Sequence, residues 1–414
     1  MQTTYDSANN FEQCLKCTIC TERCPVAAVT TDYPGPKQAG PDQERYRLKN
    51  PAFFDEALKM CLNCKRCEVA CPSGVRIADI IQQARMNHAH RASLRDTMLS
   101  NTDFVGKMAT MVAPVVNFTL GLKPTKAVMD SVMRIDKRCT FPAYAGTRFT
   151  TWFKRHAAAE QDGFAKHVSY FHGCYVNYNF PKLGRDLVKL LNAMGVGVHL
   201  LDKESCCGVA LIANGLYKQA RKQADANVLS MIKSVNIDRR PILTTSSSCT
   251  FNMRDEYEHL LGIDATPYRD SLMLATRWIY DMIDRGEARL AFRKDYTRRI
   301  AYHTACHQQR LGWAIYSIEL LKMIPGVELT VLPQNCCGIA GTYGFKSENY
   351  ERSQAIGATL FADIAAAAPD VVSTDCETCK WQIEMSTGLP VENPITTLAD
   401  ALDVEETRRL NLSS

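Results

Sequence analysis

Residues 369–379 read PDVVSTDCETC, and this stretch decides how the C-terminal half of the chain is interpreted. A short apolar run is followed at once by a Cys-x-x-Cys pair, Cys376 and Cys379. An earlier stretch, RPILTTSSSC, has the same pattern and ends at Cys249, but Ser246 occupies the position of the first cysteine. The separation along the chain from Ser246 to Cys376 equals that from Cys249 to Cys379. The sequence therefore predicts two copies of one structural unit.

Three further pairs of cysteines extend this repeat towards the N-terminus. Cys206 with Cys336 and Cys207 with Cys337 have the same separation again, and Cys174 with Cys306 differs from it only slightly. The cysteines follow apolar runs of strand length, and helix candidates such as LGRDLVKLLNAMG and IYSIELLKMIPG, each closed by a glycine, lie between the runs. Alternating strands and helices predict a parallel α/β sheet in each copy. The cysteines then fall at the carboxyl ends of the strands, the edge at which such sheets bind ligands.

The cysteines of the two copies predict metal sites. Adjacent cysteines cannot easily both bind one tetrahedral ion, but they can bridge two irons of a larger cluster, and five thiolates exceed what a cubane takes. Zinc remains an alternative for the first copy, which has four cysteines. The isolated Cys139 is interpreted as a buried free thiol. The second copy offers Cys306, Cys336, Cys337, Cys376 and Cys379, and the first offers Cys174, Cys206, Cys207 and Cys249 with Ser246 in the fifth position.

Two shorter cysteine motifs mark the N-terminal region, CLKCTICTERCP from residue 14 and CLNCKRCEVACP from residue 61. Each has the Cys-x2-Cys-x2-Cys-x3-Cys-Pro spacing that holds [4Fe–4S] clusters, in which the fourth cysteine ligates the other cluster. Structural zinc sites also use Cys-x2-Cys pairs, but they need neither a third close cysteine nor the proline. We therefore predict one cluster on Cys14, Cys17, Cys20 and Cys71 and a second on Cys61, Cys64, Cys67 and Cys24.

The segments around these motifs have helical patterns. A Pro/Gly-rich loop within YPGPKQAGPDQERYRLKN is followed by a helix that we expect Asp42 to cap. The stretches FFDEALKMC and ADIIQQARMNHAH, which flank the second motif, also have helical spacing. The N-terminal region is therefore predicted to be a mainly helical two-cluster domain.

Composition restricts the class of protein. The chain has 414 residues, 46% hydrophobic residues and 18 cysteines, which suits a packed protein of two or three domains. Its N-terminus, MQTTYDSANNFEQC, lacks a basic segment followed by an apolar one, so we expect the cysteines to bind metal in the cytosol rather than form disulfides. A net charge of +5 gives no nucleic-acid signal. No stretch approaches the ~18 consecutive apolar residues of a membrane-spanning helix.

Positive charge is concentrated in the segment that connects the two halves. Between Arg91 and His156 there are eleven Lys and Arg residues against four Asp residues. Two amphipathic patterns lie within this segment, and they fit either a membrane interface or packing on the protein core or a partner. The apolar faces comprise Phe104, Val105, Met108, Met111, Val112, Val115 and Val116 in the first pattern, and Val128, Met129, Val132 and Ile135 in the second.

Histidines and a glycine-rich stretch near the cysteines are candidates for further functional groups. His172, His303 and His307 lie next to candidate ligands, but the first two do not coincide when the copies are aligned. We therefore favour structural hydrogen bonds over proton donation or metal binding for most of them. The stretch GIAGTYG lacks the acidic partner of a nucleotide-binding loop and is interpreted as close backbone packing near a cluster.

These observations define a domain plan and a fold class. The plan is a two-[4Fe–4S] ferredoxin-like domain over 1–90, a basic amphipathic connecting segment over 91–160, and two CCG domains, named after their Cys-Cys-Gly motif, over 165–290 and 298–402. The fold class is an α-helical two-cluster domain followed by two α/β repeats.

The complete set of motifs resembles the iron–sulfur subunits of the CCG-domain superfamily. That superfamily includes heterodisulfide reductase-like proteins, glycolate oxidase iron–sulfur subunits and the C-subunit family of anaerobic glycerol-3-phosphate dehydrogenases. The stretches CLKCTICTERCPV, YPGPKQAGPD, LNCKRCEVACPS, CCGIAGTYGFK and TDCETCKWQIEMSTG are most similar to the last of these. The resemblance covers essentially the whole chain.

The resemblance implies a function. A subunit of this kind carries electrons from flavin-containing catalytic subunits A and B to a membrane quinone, menaquinone, and helps attach the complex peripherally to the cytoplasmic face of the inner membrane. Intact CCG sites of heterodisulfide reductase-like relatives hold noncubane [4Fe–4S] clusters. The second copy matches that ligand pattern fully, whereas Ser246 departs from it. We therefore expect two [4Fe–4S] clusters, one further cluster in the second copy, and an altered or empty first site.

Two other functions stay open at this point. A heterodisulfide reductase-like enzyme would cleave a disulfide at paired CCG clusters, and a glycolate or lactate oxidase iron–sulfur subunit would serve a different flavin partner. A third interpretation makes the C-terminal half a zinc-stabilised docking scaffold. We expect no catalytic residue of its own in this chain, because no flavin or nicotinamide fingerprint is present.

Overall fold

The computed structural model describes residues 11–88 and 93–412. The first ten residues lie outside this range. They include most of MQTTYDSANNFEQC, the stretch noted above as lacking a basic segment followed by an apolar one. The predicted boundary at 90/91 and the last two residues of the ADIIQQARMNHAH pattern also lie outside the described residues.

Short helices separated by loops form the N-terminal region. The helices are α1 (Ile19–Glu22), α2 (Gln43–Lys49), α3 (Arg66–Val69) and α4 (Ile77–Asn87). Asp42 does not cap α2, because it already lies in a helical turn that runs directly into the helix. Its carboxylate forms an ion pair with Lys37 at 2.7 Å instead. The predicted helical domain is present, and the predicted cap is wrong.

In the described part of the connecting segment, from residue 93 onwards, there are five α-helices. They are α5 (Leu94–Ser100), α6 (Thr102–Met111), α7 (Ala113–Gly121), α8 (Lys123–Met133) and α9 (Phe149–His156). The first amphipathic pattern predicts one helix, but the chain bends by 106° between α6 and α7. Pro114 lies in the first turn of α7, where a missing backbone N–H is tolerated but a continuous helix is not favoured. Ile135 is buried and forms an antiparallel backbone bridge with Lys346. It therefore does not belong to the exposed apolar face of the second amphipathic pattern.

The first repeat alternates strands and helices. Its elements are β1 (Lys166–Phe171), α10 (Gly173–Tyr178), α11 (Pro181–Ala193), β2 (Val196–Leu200), α12 (Val209–Ala213), α13 (Tyr217–Asn236), β3 (Ile242–Thr244), α14 (Ser247–Phe251), α15 (Tyr257–His259), β4 (Leu272–Leu274) and α16 (Ala275–Asp284). All strand pairs are parallel, in the order β2-β1-β3-β4.

The second repeat has the same arrangement. Its elements are β5 (Arg298–Tyr302), α17 (Cys306–Leu311), α18 (Ala314–Lys322), β6 (Val327–Val331), α19 (Tyr350–Ala367), β7 (Val371–Ser373), α20 (Glu377–Thr387), β8 (Val391–Glu392), α21 (Pro394–Ala401) and α22 (Val404–Leu412). The order β6-β5-β7-β8 matches that of the first sheet strand for strand. The predicted fold class is therefore confirmed.

One hydrophobic core is shared by the two repeats. Helix α11 of the first repeat packs on α21 of the second, and α18 of the second packs on α16 of the first. Leu187, Ile279, Leu320 and Leu398 from these four helices are fully buried in the same cluster of side chains. The shared core fixes the position of each cysteine-bearing sheet edge relative to the other.

Close backbone packing holds the second Cys-Cys-Gly motif against α19. Gly338 has φ of +88°, and a Cβ atom built on it would lie 2.0 Å from the Ser353 carbonyl oxygen. Only glycine fits there, which agrees with the interpretation of GIAGTYG as a packing element.

Among the described residues, no single helix has both the length and the apolar character needed to cross a membrane. Helices α6 and α7 meet those criteria only when taken together, despite the sharp bend between them.

Candidate iron–sulfur centres

Four cysteines of the N-terminal region line one cavity. Cys24, Cys61, Cys64 and Cys67 line this cavity together with Tyr33, Lys65 and apolar side chains. Burial raises the pKa of the Cys24 thiol to about 11, with smaller contributions from neighbouring thiols such as Cys61. Four thiols around one cavity match the donor set of a [4Fe–4S] cubane.

The other four cysteines lie nearer the surface. Cys14, Cys17 and Cys71 are the thiols that interact electrostatically with Cys20, whose pKa is raised mainly by burial. Cys17 is exposed and Cys20 is buried, so this group borders on solvent. Cys20 also interacts with Cys24 of the first cavity, and the two groups are therefore adjacent.

The loops of both motifs have the same backbone shape. Lys16 and Thr18 in the first motif, and Asn63 and Lys65 in the second, all adopt left-handed conformations, with φ between 54° and 62°. Alternating backbone conformations of this kind form concave nests that bind anionic groups. The local structure of each loop thus suits an anionic thiolate cluster.

The five cysteines of the second repeat converge at the carboxyl edge of its sheet. The Cys306 and Cys336 sulfurs are 3.9 Å apart, and the Cys337 and Cys379 sulfurs are 3.3 Å apart. The thiol of Cys376 contacts that of Cys379, and this contact, opposed by burial, lowers the pKa of Cys376 to about 6. Sequence spacing predicts this set, and the structure brings all five members together.

The second repeat also contacts the ferredoxin-like region. A hydrogen bond between the Cys64 and Cys306 thiols is the main cause of the raised pKa of Cys64. The Arg66 guanidinium lies against the thiols of Cys306, Cys336 and Cys64, and it donates to the Gln334 carbonyl oxygen. A cation is therefore held between the two groups of cysteines, where it stabilises negative charge on their sulfurs.

In the first repeat four cysteines form a similar chain of contacts. The Cys174 thiol contacts Cys206, and the Cys207 thiol contacts both Cys206 and Cys249. Ser246 is buried, accepts a hydrogen bond from the Cys249 backbone N–H at 3.2 Å and thereby caps α14. At the position where the second repeat has the Cys376 thiol, the first repeat has the Ser246 hydroxyl, which caps a helix.

Carboxyl groups rather than a guanidinium face the first site. The Asp103 carboxylate, at the start of α6, accepts a 2.6 Å hydrogen bond from the Cys206 backbone N–H. Burial, together with the nearby Cys206 thiol, raises the pKa of Asp103 to about 7. Glu204 accepts from the backbone N–H groups of His172 and Gly173, and burial raises the pKa of its carboxyl group well above the usual range.

The two sites touch each other across the interface between the repeats. Ser246 Oγ donates to the Glu377 carboxylate at 2.8 Å, and Ser248 Oγ lies 3.4 Å from Cys376 Sγ. The Ser247 backbone N–H donates to the Asp375 carbonyl oxygen at 2.8 Å. The two stretches TTSSSC and STDCETC are thus direct neighbours.

Two of the three histidines have structural hydrogen bonds. His172 Nδ1 lies 2.9 Å from the Gly173 carbonyl oxygen, and His307 contacts Ser248 Oγ and the Asn63 carbonyl oxygen at 3.3 Å each. His303 differs, because its ring nitrogens have no oxygen or nitrogen partner among residues 11–88 and 93–412 and the ring forms a hydrogen bond with the Cys337 thiol. Of the three histidines, His303 is thus the one that interacts with a cysteine of the second repeat.

Sequence reasoning missed the charged residues around the sites. Arg66 lies inside the second motif, and its position between two cysteines was a usable signal. Asp103 and Glu204 belong to no motif. Cys139 is buried, and burial raises the pKa of its thiol to about 12, as suits an unreactive structural thiol.

Comparison with known proteins agrees with this arrangement. A family model described as a 4Fe-4S dicluster domain matches residues 10–75, and one described as a cysteine-rich domain matches residues 168–254 and 300–384. The chain is thus an iron–sulfur protein with two [4Fe–4S] clusters and two cysteine-rich repeats, which indicate a further iron–sulfur cluster.

Similarity to individual proteins shows to which family of iron–sulfur proteins the chain belongs. The C subunit of anaerobic glycerol-3-phosphate dehydrogenase from Escherichia coli K12 is 55% identical over 394 residues, which cover 95% of this chain and 99% of that protein. The glycolate oxidase iron–sulfur subunit of the same organism is 24% identical and covers 95% and 94%. The B subunit of fumarate reductase (CoM/CoB) from Methanothermobacter marburgensis is 23% identical and covers 92% and 69%. The chain belongs to the family of anaerobic glycerol-3-phosphate dehydrogenase C subunits.

Proposed function

We propose that this chain is the electron-transfer subunit of an anaerobic glycerol-3-phosphate dehydrogenase complex. It receives electrons from flavin-containing catalytic subunits A and B and delivers them to a membrane quinone, menaquinone. It is attached peripherally to the cytoplasmic face of the inner membrane. The relative at 55% identity supports the complex, since its name makes it one subunit of that dehydrogenase.

The contact between the Cys64 and Cys306 thiols carries the proposal. It joins the ferredoxin-like cysteines to the second repeat, while Cys20 and Cys24 join the two ferredoxin-like groups to each other. Three groups of cysteines thus form an unbroken series. Iron–sulfur clusters, when bound, supply one-electron redox centres. The Arg66 guanidinium beside these two cysteines stabilises negative charge on their sulfurs.

We also propose a division of the chain into domains and a ligand set for each cluster. The proposed domains are residues 1–90, 91–160, 165–290 and 298–402. We assign one cubane to Cys14, Cys17, Cys20 and Cys71, a second to Cys61, Cys64, Cys67 and Cys24, and the further cluster to Cys306, Cys336, Cys337, Cys376 and Cys379, with Cys174, Cys206, Cys207 and Cys249 as an altered site.

Cys306→Ala tests the route. The full complex is purified anaerobically, glycerol 3-phosphate is added, and iron–sulfur signals are followed by electron paramagnetic resonance alongside quinone reduction. We expect the ferredoxin-type signals to become reduced as in the wild type, while quinone reduction is lost. The matched variant Cys139→Ala should behave as the wild type. Quinone reduction at the wild-type rate in Cys306→Ala would contradict the proposed route.

Helices α6, α7 and α8 form the proposed membrane contact. Of the twenty-three exposed large apolar side chains in the described part of the chain, eleven lie between residues 94 and 132. Phe104 and Phe118 are each 69% exposed, and Val132 is 74% exposed. Lys107, Lys123 and Lys126 accompany this surface. An apolar face with basic neighbours suits an anionic lipid surface, where each basic residue contributes about 1 kcal/mol.

Vesicle flotation tests this contact. The full chain is mixed with vesicles of phosphatidylcholine alone or with a third of phosphatidylglycerol. We expect flotation mainly with the anionic vesicles and its loss in the double variant Phe104→Ser, Phe118→Ser. Leu229→Ser with Ile237→Ser is the matched control, because both side chains are 71% exposed elsewhere on the protein. Equal flotation of the two double variants would exclude this face as the lipid contact.

A further inference from the structure

His303 is a buried imidazole whose polar neighbour is a candidate metal ligand, the Cys337 thiol. It follows strand β5, its exposed fraction is 0%, and its backbone N–H donates to the Ser373 carbonyl oxygen at 2.8 Å. Among the described residues neither Nδ1 nor Nε2 has an oxygen or nitrogen partner, and the ring forms a hydrogen bond with the Cys337 thiol instead. Buried polar side chains are usually hydrogen-bonded to oxygen or nitrogen, so an imidazole paired with a cysteine of the cluster site calls for a specific explanation.

The ring of His303 is directed into the second cysteine site. One ring nitrogen and the sulfurs of Cys337 and Cys379 all lie within 4.8 Å of one another. The two sulfurs are themselves 3.3 Å apart. Two thiols and one imidazole nitrogen at such distances form a set of soft donors that suits iron or zinc.

The first repeat has no equivalent imidazole. Tyr170 and Tyr302 are both buried at the same place in their strands, and the next residue is Phe171 in the first repeat and His303 in the second. Phe171 packs in the apolar cluster that contains Cys206 and Cys207. Only the repeat with the full set of cysteines therefore has a nitrogen donor at this position.

The neighbouring histidines show what an ordinary structural role looks like here. His307 is hydrogen-bonded through both ring nitrogens and stacks on Phe251 with ring centroids 4.7 Å apart. His172 is hydrogen-bonded to the Gly173 carbonyl oxygen. His303 is also buried, but its ring interacts with the Cys337 thiol, a candidate metal ligand, and with no carbonyl or hydroxyl oxygen among the described residues.

We propose that His303 is a nitrogen ligand of the iron–sulfur cluster in the second repeat, in addition to the thiolates of that site. This inference rests on the proposed presence of a cluster there. Metal binding would satisfy the buried nitrogen, as it does for neutral imidazole in many metal sites. Because imidazole is neutral and thiolate is negative, a nitrogen ligand at this position favours the reduced state of the cluster more than a thiolate would.

Pulsed electron paramagnetic resonance on histidine-labelled protein tests the proposal. The full chain is produced with ¹⁵N-imidazole histidine, and the signal of the second-repeat cluster is examined for nitrogen hyperfine coupling. We expect a coupling of the size given by a directly bound imidazole in the wild type. It should disappear in His303→Phe, which copies the first repeat, and persist in the matched control His307→Phe.

A second variant keeps the test decisive if His303→Phe does not fold. His303→Cys retains a ligand but adds negative charge, so the equilibrium constant for reduction should fall about tenfold, which is 59 mV for one electron. A cluster signal with no histidine coupling, or a coupling that survives in His303→Phe, would overturn the proposal alone. Wild-type protein with only about eight irons and no second-repeat signal would overturn the proposed function as well.

Discussion

The two cysteine-rich repeats have one scaffold and two different sites. Strand order is the same in both, and equivalent cysteines follow equivalent strands. The complete site in the second repeat faces the Arg66 guanidinium, whereas the altered site in the first repeat faces the Asp103 carboxylate. Arg66 comes from the ferredoxin-like region and Asp103 from the connecting segment. The scaffold therefore supplies the thiols, and segments outside it supply the charge.

Replacing Cys376, the candidate ligand that the first repeat lacks, should have the largest effect of the changes considered, on the iron content of the protein. Cys376→Ser gives the second repeat the residue found in the first, and we expect the iron content to fall from about twelve to about eight per chain. The measurement is iron and sulfide analysis on anaerobically purified protein. Cys249→Ser makes the same kind of change in the first repeat, at the position equivalent to Cys379, and should leave the iron content unchanged. Equal losses in the two variants would show that both sites hold a cluster.

Lys65 tests how firmly the ferredoxin-like region is joined to the first repeat. Its fully buried ammonium group pairs with Asp79 and lies 3.7 Å from Glu68 and 3.5 Å from Glu256. Lys65→Met leaves these carboxylates with less compensation, so the free energy of unfolding should fall by about 3–5 kcal/mol. Urea denaturation under anaerobic conditions measures the change.

The control for Lys65 is an exposed ion pair. Lys322 and Glu319 are 2.8 Å apart on the surface of α18, and Lys322→Met should cost below about 1 kcal/mol. If the two methionine variants lost similar stability, the buried charges would not be what joins the regions.

Arg66 is expected to set the reduction potential of the complete site. Arg66→Gln removes a positive charge beside Cys306 and Cys336, so the reduced state is less stabilised. The equilibrium constant for reduction should fall about tenfold, or 59 mV for one electron. A redox titration followed by electron paramagnetic resonance measures the shift. Asp103→Asn changes a charge at the other repeat and should leave this potential unaltered, and a shift there would mean that the two sites are electrostatically coupled.

Ser246 should contribute a small amount of stability and no metal binding. Its hydroxyl caps α14 through the Cys249 backbone N–H, and loss of such a cap in Ser246→Ala costs about 1 kcal/mol. Thermal or urea unfolding measures this, and iron analysis on the same sample should match the wild type. A fall in iron content would identify Ser246 as a ligand instead of a helix cap.

Much of the scaffold could be predicted from cysteine spacing. The constant offset between equivalent cysteines identifies the repeat, and apolar runs before each cysteine predict parallel strands that end at one edge. The convergence of Cys306, Cys336 and Cys379 agrees with that expectation, whereas the order of the strands in each sheet is known only from the structure.

Contacts between distant parts of the chain could not be predicted. Asp103 reaches Cys206 across 103 residues, and Arg66 reaches Gln334 across 268 residues. No local pattern records which segment packs over which sheet edge. The bend between α6 and α7 is a different failure, because Pro114 is visible in the sequence but the apolar pattern continues through it.

The reciprocal packing of α11 on α21 and of α18 on α16 describes an approximate twofold axis. Each repeat offers the same helix and receives the equivalent one, as in the isologous interface of a homodimer. In a homodimer of identical subunits, a serine in one site is a serine in both. Covalent fusion removes that constraint, so one half can keep five thiolates while the other exchanges a ligand for a cap. The fused chain keeps the reciprocal helix packing of a symmetric dimer, and its two sites need not be identical.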